Sequence, residues 1–160
     1  MLVLSTLHQL LSQFLSHPHL HTAVLLTPAG ELVSSACCYE RPKDDIRVLV
    51  GLSGEIWRET RHRGFGMVDS EMGRIAVAPV DTTEEDGSPP GFQSLDPQPV
   101  LLVALNATDD VDWGELHARS KTLGGLLGKP LRKYREALVE PRTVTSTLTQ
   151  TGANALGALR

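Results

Sequence analysis

The chain has 160 residues, 41% of them hydrophobic and 21% charged, with a formal net charge of −4 at pH 7. That length suits one domain around a single core, and an acidic balance without clustered Lys and Arg excludes a phosphate-neutralising surface for nucleic acid. No stretch approaches the ~20 apolar residues of a membrane span, so direct membrane insertion is not expected.

At the N-terminus, Leu4, Leu7, Leu11, Phe14 and Leu15 recur at steps of three and four, which predicts a helix over residues 3–16. Pro18 breaks the pattern. Residues 22–27 and 32–38 then read as two strands joined by a tight turn at Ala29-Gly30. Pro42, Asp44 and Asp45 mark the start of a middle helix running to about Arg61, because proline fits the first turn and negative charge suits the N-terminal dipole. Residues 66–69 and 74–80 flank Glu71-Met72-Gly73 as a hairpin, and 100–107 form a fifth strand. Asp112 can cap a last helix with Glu115 three residues on, Trp113, Leu116, Ser120, Leu123, Leu127, Leu131 and Tyr134 mark its face, and Pro130 is expected to kink or interrupt it. The order is αββαβββα in an α+β domain.

Two stretches stand apart. Residues 81–99 hold Asp81, Glu84, Glu85, Asp86 and Asp96 with no base among them and are rich in Pro and Gly, which reads as a mobile loop between two strands. Residues 141–160 are Thr- and Gly-rich with little periodicity and read as a disordered tail, leaving 1–140 as the domain.

The middle helix carries the most information. Val48, Leu52, Ile56, Leu49, Ile46, Trp57 and Val50 cover an arc of roughly 200°, about twice what one packing face requires. Its own sheet can take one side. The Val48 and Leu52 side then reads as an interaction patch for a helix of another chain, or as part of a larger internal core wrapped by the other helices. Val48, Leu49, Leu52 and Ile56 are accordingly candidate partner contacts. Met67 and Val68, on a short strand, could add an edge-to-edge pairing.

Chemistry-bearing groups are sparse. Gly124-Gly125-Leu126-Leu127-Gly128-Lys129 lacks the Walker spacing and the following Ser or Thr, so close helix packing is the better reading. His17, His19 and His21 alternate and could aim imidazoles at one metal if extended, but no carboxylate or cysteine nearby completes a set, and a polar connector is preferred. Cys37 and Cys38 are adjacent on a strand and point to opposite faces, so they neither bridge nor chelate readily; a base such as His62 would be needed to activate either one. Arg58, Arg61, His62 and Arg63 make a basic end to the middle helix. They suit the dipole there, could contact an acidic partner, and Arg61 or Arg63 could serve as an arginine finger. No catalytic residue, metal ligand or cofactor site is expected.

The element order with a doubly apolar middle helix resembles the roadblock/LC7 family. Ala23 to Leu26 before the Gly30-Glu31-Leu32 turn, Ile56-Trp57 late in the middle helix, residues 71–77 and residues 123–131 are similar to the roadblock-type adaptor subunit of the Ragulator complex and its fungal EGO counterpart. The resemblance implies a five-stranded antiparallel, profilin-like sheet with helices on both faces. It further implies a non-catalytic scaffold that dimerises with another roadblock-domain protein. Such an assembly, with a lipidated anchoring subunit, recruits Rag-type small GTPases to the late endosomal, lysosomal or vacuolar membrane for nutrient signalling through TOR. Met1-Leu2 lacks the glycine of N-myristoylation and the C-terminus lacks a prenylation cysteine, so the chain is expected to reach that membrane only through partners. The other function compatible with the resemblance is direct stimulation of GTP hydrolysis.

Overall fold

A computed structural model describes residues 4–80 and 98–134. The acidic stretch read as a loop falls outside these residues, except at its very end, and the C-terminal tail lies wholly outside them. In chain order the elements are α1 (Leu4–Gln13), β1 (Leu20–Leu26), β2 (Leu32–Cys37), α2 (Lys43–Thr60), β3 (Gly66–Ser70), β4 (Gly73–Pro79), β5 (Leu102–Ala107) and α3 (Trp113–Leu131). All eight elements match the expected order and type.

The strands form one antiparallel sheet in the order β2-β1-β5-β4-β3. The crossover from β2 through α2 to the far edge places the two hairpins side by side, with β5 inserted between them. β1, β4 and β5 are buried on both faces, which is why they read as continuous apolar runs rather than alternating ones. β1 begins two residues earlier than expected because Leu20 pairs with Ala107 and closes the preceding turn with Ser16 through two 2.8 Å backbone bonds. Gly30, at φ +91°, makes the β1–β2 turn, a conformation glycine adopts without steric cost.

Two cores result, one on each face. On one, Leu7 and Leu11 of α1 and Leu116, Leu123, Leu127 and Leu131 of α3 pack on Leu25, Val103 and Leu105. Small residues let α3 come close: Ala76 and Ala78 on β4 face Ser120, Gly124 and Gly128, and a Cβ on Gly124 would stand 2.6 Å from the Pro79 carbonyl oxygen. On the other face one helix among the described residues, α2, packs Leu49, Val50, Ile56 and Trp57 against Val24, Leu26, Ile75, Val77 and Leu102. Each such side chain contributes about 1.5–3 kcal/mol when fully buried.

The helix termini differ. Asp112 caps α3, its carboxylate accepting from the Gly114 and Glu115 amides at 2.9 and 3.3 Å. α2 starts after Pro42 with no side-chain cap. Pro130 does not interrupt α3 where expected. It lies in the last turn, where its missing N–H removes one terminal bond, and the chain passes into a 3-10 turn over Arg132–Tyr134.

Candidate partner interface

The side of α2 that faces the sheet holds Ile46, Leu49, Val50, Ser53, Gly54, Ile56 and Trp57, all buried, an arc of about 160° at 100° per residue. Leu49 and Ile56, expected at a partner interface, therefore belong to the chain's own core, with 0% and 7% exposure. The breadth of the apolar arc showed that two sides existed but not where the sheet would divide them. Val48 and Leu52 occupy the opposite side. Val48 is 57% exposed, and Leu52 is half-buried at the margin of the inner core.

β3 borders this helix and, among the described residues, is an outer strand that pairs with β4 alone. Met67 and Val68 are half-buried and point to opposite faces, Met67 toward the α1/α3 core and Val68 toward the α2 core. Only Val68 shares a face with Leu52. Gly66 admits the C-terminal end of α2, since a Cβ there would collide with the side chains of Ile56 and Thr60. The exposed apolar side of α2 and the open edge of β3 are thus held next to each other.

At that end of α2, Arg58 donates to Glu55 at 2.6 Å. Arg61 and Arg63 are exposed in a 3-10 turn closed by Gly64 at φ +80°, and among the described residues they make no ion pair.

The N-terminal end holds an arrangement that nothing in the sequence revealed. The Arg41 side chain is 6% exposed and reaches under the start of α2. Its guanidinium donates to Thr22 Oγ1 and Asn106 Oδ1, both at 2.9 Å, and its Nε stands 3.6 Å from the Asp45 carboxylate. Asn106 Nδ2 donates to the carbonyls of Met72 and Arg74 at 3.0 and 3.1 Å. Beside Thr22, the buried His21 ring lies with Nδ1 2.8 Å from Thr22 Oγ1 and 3.5 Å from the Tyr39 hydroxyl. Burial, then the Arg41 charge and then His17, hold His21 below the ordinary histidine value. Arg41 lies 19 residues from Thr22 and 65 from Asn106, so only the strand order brings them together.

The other candidates do not converge. Gly124 and Gly128 are buried inside α3 and pack toward the sheet, so the glycine-rich run is a helix surface and not a phosphate loop. His17 and His19 sit in the turn closed by Ser16 and Leu20, whereas His21 is in the strand; the extended geometry that metal binding required is absent, and no metal-binding cluster occurs among the described residues. Cys37 lies on the β2 edge, while His62 follows α2 beside β3 at the opposite edge, four strand spacings or about 19 Å away. Burial, with Cys37 next to it, raises the Cys38 thiol above its ordinary value, opposite to what a nucleophile needs. A shallow cavity of about 170 Å³ beside the Ser16–Leu20 turn is bordered by His19, Asp110, Glu115 and Arg119. These groups pair with one another, His19 with Asp110 at 3.9 Å and Arg119 with Glu115 at 2.9 Å.

No family model matches the chain, and no curated protein sequence matches it. Solved structures do. A roadblock/LC7 domain from Streptomyces avermitilis superposes with a TM-score of 0.53 at 18% identity, covering 81% of this chain and 97% of that one. MglB in a tetrameric arrangement gives 0.55 at 10% identity over 81% and 90% of the two chains. Myxococcus xanthus MglB gives 0.52 at 12% over 89% and 98%. At these identities the likeness concerns architecture, and it agrees with the strand order and helix placement above: the chain has the roadblock/LC7 fold.

Proposed function

We propose that the chain is a non-catalytic scaffold subunit that pairs with a second roadblock-fold chain and, with it, holds a small GTPase. The observation that carries this reading is the exposed Val48 and half-buried Leu52 on α2, next to a β3 edge that is unpaired at Val68 among the described residues. An apolar helix side and an open strand edge in one place suit a partner that adds a helix and a strand together. The tetrameric arrangement of one structural neighbour supports self-association as a use of this fold. The similarity of residues 23–32, 71–77 and 123–131 to the Ragulator and EGO adaptor subunits suggests the finer reading. The GTPase is then of Rag type, and the assembly sits on the cytoplasmic face of the late endosome, lysosome or vacuole through a lipidated subunit.

Co-purification from cells tests the pairing. Wild-type chain should bring down a roadblock-fold protein stoichiometrically, and Val48→Asp or Leu52→Asp should lose it while keeping native circular dichroism. Equal recovery with the variants counts against this surface.

One observation favours a second reading, direct stimulation of GTP hydrolysis: Arg61 and Arg63 project from an exposed turn without an ion-pair partner among the described residues. Single-turnover hydrolysis by a Rag-type GTPase, with and without the roadblock pair, separates the two. The scaffold leaves the rate unchanged. An acceleration of about 10³-fold or more that disappears in Arg61→Ala or Arg63→Ala would establish the regulator.

A further inference from the structure

The start of α2 is tethered differently from the start of α3. α3 has a carboxylate cap, whereas α2 has no side-chain cap, and its first turn is anchored through Arg41, the residue just before Pro42. One hydrogen-bond direction in that anchor is fixed by chemistry. Arg41 can only donate, so Thr22 Oγ1 accepts from it. Thr22 is fully buried, and the acceptor its own hydroxyl proton meets is His21 Nδ1. The Tyr39 hydroxyl, at 3.5 Å, is also aimed at that nitrogen. With Arg41 on one lone pair of Thr22 Oγ1, the arrangement that gives the buried Thr22 proton an acceptor has it donating to Nδ1, with the ring neutral and its own proton on Nε2.

We propose that the chain Arg41 to Thr22 to His21 is an acid-sensitive latch on the first turn of α2, released when His21 takes a proton at Nδ1. Protonation turns an acceptor into a donor opposite the Thr22 hydroxyl. That hydroxyl must rotate away, leaving its buried proton unpaired, and a second positive charge then lies beside Arg41. The charged and titratable groups around the ring are His17 from the turn before β1, Cys38 and Tyr39 after β2, and Arg41 before α2, with Asp45 of α2 beyond it; β5 contributes the neutral Asn106. Asp45 is half-exposed and already engaged with Arg41, so it does not compensate a new charge on His21. Arg41 answers by swinging toward Asp45 and solvent, and the uncapped first turn of α2 frays. Val48 lies one turn further on, so the latch also sets how well the outer side of α2 is presented, a consequence that rests on the partner reading above.

Amide hydrogen exchange over residues 43–48 of the full chain tests the latch directly. Corrected for intrinsic rates, wild-type exchange in this segment should become severalfold faster between about pH 7.5 and about pH 5.5, on either side of the ordinary histidine value. His21→Gln keeps an acceptor for Thr22 and cannot take the proton, so it should abolish the pH response. Arg41→Met should give fast exchange at both pH values. A pH-independent wild type, or a response that survives in His21→Gln, overturns the latch. The affinity of the co-purified roadblock partner, measured over the same range, should fall in the wild type and hold steady in His21→Gln. An exchange response without an affinity response overturns α2 as the partner surface rather than the latch.

Discussion

The two faces of the sheet are covered unequally. On the α1/α3 side two helices pack on the sheet, and Gly124 lets α3 come close to β4. On the α2 side one helix spans the sheet, buries five large apolar residues inward, and still carries Val48 and Leu52 outward. The first face also leaves apolar side chains outside, Leu4 of α1 at 56% and Leu126 of α3 at 38% exposure. The second has apolar surface left over, and it also holds the buried polar group of Arg41, Thr22 and Asn106.

Substitutions can break this contrast, and the largest effect is expected on the inner side of α2. Trp57→Asp places an unpaired charge among Val24, Ile75 and Leu102 and should cost several kcal/mol, enough to unfold a marginal domain. Loss of native circular dichroism is the readout. The second effect belongs to the α1/α3 face. Gly124→Ala drives a methyl into the Pro79 carbonyl, a backbone atom that cannot step aside, and should lower stability in urea by about 1–3 kcal/mol. Gly125→Ala, one residue along and facing open space, should raise it by up to about 1 kcal/mol through helix propensity alone. Opposite signs at adjacent glycines would confirm that this run is packing surface.

A third effect follows from His21. Its folded-state value is depressed, so as pH falls through the ordinary histidine value the unfolded chain binds the proton and the folded chain resists it. Stability is therefore complete above that value and is lost below it. The thermal midpoint should fall between about pH 7 and about pH 5.5 by more in the wild type than in His21→Gln. The smallest effect is on the outer side of α2, where Val48→Asp should change stability by about 0.5 kcal/mol or less.

Much of the fold was legible because its signals are local. The steps of three and four in α1 and α3, the Gly30 turn and the Asp112 cap each depend on residues within a few positions of one another, and each appears where the pattern put it. Strand order is not local. Nothing near Thr22 or Asn106 announces that β5 lies beside β1, so the Arg41 anchor could not be anticipated. The middle helix shows the boundary between the two kinds of information. Its composition gave two apolar sides, but assigning Leu49 and Ile56 to the inner one required the sheet's position.

On the function proposed above, the outer side of α2 serves partners and not the fold. Sedimentation velocity of the complex with the roadblock-fold partner proposed above, wild type against Val48→Asp, is the sharpest test. The variant should sediment as separate, natively folded chains. A Val48→Asp complex with unchanged mass and affinity, or a variant that unfolds by itself, would contradict it.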